Sequence, residues 1–150
     1  MRVVPAFQFI ALVLAALALI PAGAHFFELP NKMALDGQAY LTVQQIYAGW
    51  SLFGIALIGS LAANLALAVA VRRERIACVF ATAAFASMLT VLLLFFAFVY
   101  PMNAATENWT VMPENWEALR MQWEYGHAVN AVLTFVAFVC VSLSVVVGRG

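Results

Sequence analysis

Four long apolar runs, separated by two mixed polar segments and one short charged turn, set the pattern of this 150-residue chain. The runs cover residues 3–24, 46–71, 76–100 and 123–147, and the polar segments cover residues 25–45 and 102–122. A helix needs about 20 apolar residues to cross a bilayer. The pattern therefore predicts an all-α fold, a four-helix transmembrane bundle in which residues 1–150 form a single domain.

The composition supports a membrane location. Hydrophobic residues make up 66% of the chain and charged residues only 9%, whereas a soluble domain carries about 25% charged residues. We therefore expect an integral membrane protein whose partners are membrane lipids and a hydrophobic small molecule. Seven basic residues balance seven acidic ones. The sequence has no basic patch of the kind that would indicate nucleic acid as a partner.

The first apolar run has two interpretations. Arg2 precedes it and Ala22-Gly23-Ala24 ends it, a pattern that also occurs in secretory signals with a small-residue cleavage site. Cleavage there would make His25 the new N-terminus. The run is long for the core of a signal, so we expect a retained first helix.

The basic residues predict the orientation. One membrane face carries five of them: Arg2, Arg72, Arg73, Arg75 and Arg149. The other face has only Lys32 and Arg120. The positive-inside rule then places both termini in the cytoplasm and both polar segments on the extracytoplasmic side, in what we expect to be a bacterial inner (plasma) membrane. Small residues on the second span would also allow a homo-oligomer.

Histidine and glutamate recur at three-residue spacing in two places, His25-x-x-Glu28 and Glu124-x-x-His127. Ionisable groups at membrane depth are costly and usually functional. If the first and last helices are neighbours, the four side chains could converge on copper or non-haem iron. Two alternatives remain: each pair is a local interfacial contact, or the two histidines alone ligate a haem.

Further polar and aromatic residues cluster near the same end of the predicted bundle. Five of them could line a pocket for a flat apolar molecule: Gln44, Tyr47, Trp50, Tyr100 and Trp123. Tyrosine and tryptophan also collect at membrane interfaces for general physical reasons, so an interfacial belt explains the same pattern.

The segments Tyr100–Asn103 and Trp116–His127 resemble the small four-helix membrane proteins grouped with the anthrone oxygenases. Members have Pro-x-Asn after the third span and Trp-x-x-x-His at the start of the fourth, here Pro101-x-Asn103 and Trp123-x-x-x-His127. The resemblance implies oxidation of an anthrone to an anthraquinone by molecular oxygen. Many relatives carry arginine three residues after the histidine, whereas this chain has Asn130, which removes a cation able to stabilise an enolate or phenolate.

These observations predict a membrane oxidoreductase of the oxygenase kind, acting on an aromatic or quinone-like molecule at the extracytoplasmic side. His127 is expected to be a general base or metal ligand and Glu124 its orienting partner. Asn103 and Asn130 are expected to donate hydrogen bonds to an oxyanion. The alternative is a non-catalytic protein that binds lipid or quinone, or an accessory subunit.

Overall fold

Six α-helices account for most of the computed structural model, which describes residues 3–148. They are α1 (Val3–Met33), α2 (Gly37–Gln44), α3 (Phe53–Ala70), α4 (Arg75–Leu94), α5 (Tyr100–Ala105) and α6 (Trp116–Val147). Four helical stretches are long and apolar enough to cross a membrane: Val3–Met33, Trp50–Ala70, Arg75–Ala105 and Trp116–Val147. The predicted all-α bundle of four membrane-spanning helices is confirmed. Arg2 and Arg149, which contributed to the predicted orientation, lie outside the described residues.

The four long helices form a ring. Helix α1 packs against α3 and α6, and α4 packs against the same two helices. The first and last spans are therefore neighbours, which is the condition that a site shared between them requires. Both polar segments lie at one end of this ring, here called the polar end, and the turn at residues 71–74 lies at the other.

Small side chains fill the centre of the bundle. Ala11, Ala15, Ala63, Ala81 and Ala84 all belong to one buried cluster, and such residues let helix backbones approach closely, so that dispersion contacts hold the helices together. Many of the large apolar side chains point outward instead, as Phe9, Ile55 and Val146 do with more than 60% of their surface exposed. An apolar exterior around a small-residue core is the arrangement expected in lipid.

Helix α1 extends nine residues beyond the predicted end of the first span at residue 24, and it passes through Pro21 and Pro30. A proline inside a helix removes one hydrogen bond and disfavours the helix, so the first helix would be expected to bend or end near Pro30. The helix nevertheless continues to Met33, because Glu28 and Lys32 in its last turns have partners on other elements at the polar end. Helix α6 likewise begins at Trp116, seven residues before the predicted start.

A π-helical segment, Phe95–Val99, joins α4 to α5. It lies against Gly126 of α6, where an added Cβ would be only 2.9 Å from Val99 Cγ2. Gln122 Nε2 of α6 donates to the Phe98 carbonyl at 3.2 Å, which satisfies a backbone group in the irregular segment. π-Bulges are frequent near functional sites, and this one lies beside the α6 turn that carries His127.

Helix α2 and the loop before α6 cover the polar end. Asp36 caps α2 by accepting from the Ala39 N–H at 2.9 Å, a preferred residue type for that position. In the loop, Glu107, Asn108 and Trp109 all have positive φ angles, between 48° and 62°, a conformation that costs non-glycine residues energy. The strained turn places the indole of Trp109 in the interior, where it is 3% exposed.

Candidate functional site

The two histidines of the chain meet at the polar end. His25 of α1 and His127 of α6 have stacked rings, with centroids 4.0 Å apart and planes 25° from parallel. Trp123 contacts both imidazoles, at 5.1 Å from His25 and 4.2 Å from His127. Tyr47 packs on His25 at 4.6 Å. Two positive charges at such a short separation would repel each other strongly.

Lys32 lies in the same cluster, on the same face of α1 as His25 and seven residues later. Its Nζ is 2.7 Å from Glu124 Oε1, with 4% of the lysine side chain and none of the glutamate exposed. The ammonium also donates to the Tyr47 hydroxyl at 3.1 Å. It lies 4.5 Å from the ring centroids of both Tyr47 and Trp123, a geometry in which aromatic faces attract a cation. Lys32 is therefore the fixed positive charge of the site.

Two tyrosines complete the hydrogen bonding around this ion pair. The Tyr40 hydroxyl donates to Glu124 Oε1 at 2.8 Å and accepts from Gln44 Nε2 at 2.6 Å, while the Tyr47 hydroxyl donates to Glu28. Burial and the nearby Glu124 carboxylate raise the pKa of Tyr40. Burial and the hydrogen bond to Glu28 raise the pKa of Tyr47. Both phenols consequently remain protonated hydrogen-bond donors.

The arrangement does not fit the predicted metal centre at His25, Glu28, Glu124 and His127. Among residues 3–148, no group of three or more His, Cys, Asp and Glu side chains could hold a metal ion. The two carboxylates contact Tyr47, Tyr40 and Lys32 rather than joining the imidazoles in one ligand set. The Lys32 ammonium neutralises Glu124, so one of the four donors expected for copper or iron is already paired with a protein cation.

A haem held between the two histidines does not fit either. Axial imidazoles point at the iron from opposite faces of the macrocycle. The His25 and His127 rings instead stack on each other at 4.0 Å, which leaves no gap for a macrocycle between them.

Four of the five predicted pocket residues lie at the cluster. Tyr47 and Trp123 contact His25 directly, Trp50 packs at 5.6 Å from it, and Gln44 reaches the cluster through Tyr40. Tyr100 lies apart from them, with 53% of its surface exposed and its ring beside Phe96. Its position on the outside of the bundle suits an interfacial aromatic residue.

The two predicted amides occupy different positions. Asn103 of α5 accepts a hydrogen bond from Trp123 Nε1 at 2.7 Å, so it holds the indole that both histidines contact. Asn130 is buried one turn beyond His127 on α6, and its Oδ1 has no hydrogen-bond partner among residues 3–148. In the described part of the chain, neither amide forms a hydrogen bond with Lys32 or Glu124.

Sequence reasoning missed the roles of Lys32, Tyr40 and Arg120. The sequence did contain a signal for Lys32, because this residue follows His25 by seven positions and Glu28 by four. These spacings place the three side chains on one face of a helix, but only if α1 continues past Pro30. Arg120 donates to the Leu35 carbonyl at 2.7 Å and lies 4.6 Å from the Trp116 ring. The role of Tyr40 depends on how α2 packs over the polar end, for which the sequence had no local signal.

Several buried polar atoms at the site have no partner among the described residues. They are Glu124 Oε2, His25 Nδ1 and Asn130 Oδ1. Buried polar atoms are nearly always hydrogen-bonded in proteins, and an exception calls for a structural or functional reason. The site therefore retains the capacity to bind a polar group of a small molecule or water.

Comparison of the chain with protein-family models, curated proteins and solved structures finds no match in any of the three. The fold itself defines the class of the protein: a four-helix bundle of membrane-spanning length, with a buried cluster of two histidines and an ion pair at one end.

Proposed function

We propose that the protein is a membrane oxidoreductase of the oxygenase kind, which acts on a hydrophobic aromatic or quinone-like molecule. The observation that supports this proposal is that one indole contacts both the histidine pair and the lysine. Trp123 contacts the stacked imidazoles of His25 and His127 on one side and the Lys32 ammonium on another. A base and a fixed cation in one water-poor cluster suit the removal of a proton from a carbon acid.

The imidazole pair supplies the base. An acidic methylene conjugated with a ketone through aromatic rings, as in an anthrone, gives up a proton to His127. The His25 ring is stacked on the His127 ring. General bases of this kind contribute about 10²–10⁴-fold to a rate. The proposed chemistry needs no group beyond the side chains of the chain, the substrate and molecular oxygen.

The Lys32 ammonium stabilises the negative oxygen of the resulting enolate. A preformed charge aimed at a developing oxyanion is effective because it needs no reorganisation during the reaction. The resemblance to anthrone oxygenases points to a cation at residue 130, where this chain has asparagine. We propose that Lys32 of α1 takes that role, from the opposite side of the cluster.

The reaction balances with molecular oxygen as the oxidant. The enolate carbon transfers its electrons to O₂ and forms a carbon–oxygen bond, giving a hydroperoxide after it takes up a proton. The hydroperoxide loses water as the second hydrogen leaves the same carbon. One oxygen atom ends as the new carbonyl and the other as water, so that an anthrone would yield an anthraquinone.

The test uses the full chain in lipid nanodiscs with anthrone as the probe, following oxygen uptake and the anthraquinone absorbance. His127→Gln and Lys32→Met are each expected to lower the turnover rate per folded molecule by about 10²-fold or more. Circular dichroism measures the folded fraction of each variant, because Lys32→Met also removes the partner of Glu124. Tyr125→Phe is the matched control, since Tyr125 lies on α6 but is 53% exposed, and it should leave the rate unchanged.

Two results would reject the proposal. Wild-type protein that oxidises anthrone and related hydroxyaromatic ketones no faster than empty nanodiscs would reject the activity. A His127→Gln protein with the wild-type rate would reject the role of the base.

The second candidate is a non-catalytic protein that binds lipid or quinone. An open groove of about 320 Å³ between the π-helical segment and α6 favours it, lined by residues that include Leu94, Phe98 and Gly126. The volume lies within the range of small-molecule sites. Saturable binding of a short-chain quinone, with no oxygen uptake and no loss of binding in His127→Gln, would favour this candidate over the oxygenase.

We further propose that the polar end faces the extracytoplasmic side of a bacterial inner membrane. Arg72, Arg73 and Arg75 at the opposite end of the bundle support this orientation through the positive-inside rule. The test labels single cysteines in whole cells with an impermeant maleimide, in a background lacking Cys78 and Cys140. Asn108→Cys should react without permeabilisation and Glu74→Cys only after it; the reverse pattern would overturn the orientation.

A further inference from the structure

A second groove lies at the opposite end of the bundle, between the start of α1 and the end of α3. It has a volume of about 630 Å³. Apolar side chains line most of it, among them Val3, Phe7, Ala66 and Val69, and Arg72 and Arg73 lie at its end. The groove thus has a long apolar part beside α1 and α3 and a short basic part in the turn that follows α3.

The charge at this end of the groove is not neutralised by the acid in the same turn. Arg72 and Arg73 are both exposed. Glu74 points toward the end of α6: its Oε2 would be 3.0 Å from a Cβ atom added to Gly148. The ion pair found among residues 3–148 joins Lys32 to Glu124 at the other end of the molecule. The two guanidinium groups are therefore available to an anion.

We propose that this groove is a binding site for one anionic phospholipid. Arg72 and Arg73 contact the phosphate, to which guanidinium groups donate paired hydrogen bonds. One acyl chain lies along Val3, Phe7 and Val69. Basic pockets at the membrane surface beside transmembrane helices recognise lipid head groups in this way. A zwitterionic lipid has the same chains but a head group with no net charge, so it binds more weakly. This inference is independent of the oxygenase proposal.

The test is native mass spectrometry of the detergent-purified full chain. Dioleoyl phosphatidylglycerol and dioleoyl phosphatidylcholine, which share acyl chains, are titrated separately. We expect the first bound lipid to be retained at least tenfold better for phosphatidylglycerol. Soluble glycerol 3-phosphate, the phosphate without the chains, should not compete at equal concentration, which distinguishes a lipid site from a site for free phosphate.

Variants test each part of the groove. The double change R72Q/R73Q should abolish the preference for phosphatidylglycerol. Arg75→Gln should keep it, because Arg75 is the first residue of α4, just after the turn, and does not line the groove. Ala66→Phe fills the apolar part and should reduce retention with both arginines intact. The arginines are exposed, so their replacement should not prevent folding, and thermal unfolding checks this.

Equal retention of the two lipids by the wild type would overturn the proposal. An equal loss of the preference for phosphatidylglycerol in R75Q and R72Q/R73Q would also overturn it. The attraction for the anionic lipid would then come from all the arginines at this end of the bundle and not from the groove. Competition by glycerol 3-phosphate would also overturn it, because the groove would then bind a free phosphate group and not a phospholipid.

Discussion

The ammonium of Lys32 lies 2.7 Å from the carboxylate of Glu124, and neither side chain is more than 4% exposed. This buried pair joins α1 to α6 at the level of the two histidines. Burying two charges is costly, and the attraction between them offsets that cost only when both are present and hydrogen-bonded. Tyr40 and Tyr47 provide the additional hydrogen bonds here.

Removing one member of this pair should destabilise the protein severely. Lys32→Met or Glu124→Leu alone leaves a buried charge without its partner, a change that costs about 3–5 kcal/mol. The double variant should cost clearly less than the sum of the two, because no charge is left unpaired. Thermal unfolding of the four proteins in one detergent, followed by circular dichroism, measures the coupling. Additive effects would show that the two groups do not interact.

Tyr40 and Tyr47 should not ionise while the protein is folded. Since burial and the neighbouring carboxylates raise the pKa of both phenols, the folded state keeps protons that the unfolded chain releases above about pH 10. The stabilisation from these groups is therefore complete below that pH and is lost as the pH rises beyond it.

The tyrosinate absorbance of the Tyr40→Phe/Tyr47→Phe variant provides the comparison. At about pH 11, the folded wild type and this variant should have equal absorbance, and the wild type should exceed the variant only after unfolding. A larger absorbance in the folded wild type would show that at least one of the two phenols ionises in place.

Gly126→Ala should move the π-helical segment away from α6. The new Cβ would lie 2.9 Å from Val99 Cγ2, and overpacking of this kind costs about 1–3 kcal/mol. Val99→Ala should restore part of the loss by making room. The matched control is Gly23→Ala in α1, where an added Cβ meets nothing within 4 Å and the change should be neutral or stabilising. Equal effects of the two alanines on the melting temperature would contradict the close packing.

Asn103 should influence the histidine pair only through Trp123. Asn103→Leu removes the acceptor of the indole N–H, a hydrogen bond of 2.7 Å, and should cost about 1–3 kcal/mol because the donor is left buried. Trp123→Phe removes the donor itself, so the double variant should be no less stable than Trp123→Phe alone. Trp fluorescence and thermal unfolding report the two effects. A further loss in the double variant would assign Asn103 another contact.

The membrane spans, and the face of α6 that Glu124 shares with His127, were predictable from local pattern. Long apolar runs specify membrane helices by length alone, and the three-residue spacing put Glu124 and His127 on one face of α6. The adjacency of α1 and α6 is a property of the closed ring, which the sequence permitted but did not determine. Once the ring closes with both polar segments at one end, His25 and His127 come together.

The chemistry of the cluster was harder to predict because a glutamate near a histidine suits a metal ion and an ion pair equally well. The deciding residue is Lys32, whose position depended on whether α1 continues beyond Pro30. A proline is locally unfavourable in a helix by about 3 kcal/mol, but the partners of Glu28 and Lys32 on other elements outweigh that preference. Tyr40 reaches Glu124 because α2 packs over the polar end, a placement that no local pattern describes.

The two prolines of α1 also determine how the cluster can move. Pro21 and Pro30 lie on either side of His25, and each lacks the N–H that would tie it to the carbonyl of the preceding turn. Both missing hydrogen bonds lie in the half of α1 that carries the cluster. A bend at Pro21 would move His25 and Lys32 together, because both residues follow that proline on α1. Such a bend would also separate Lys32 from Glu124, so the ion pair that stabilises the cluster opposes any opening of the stacked rings.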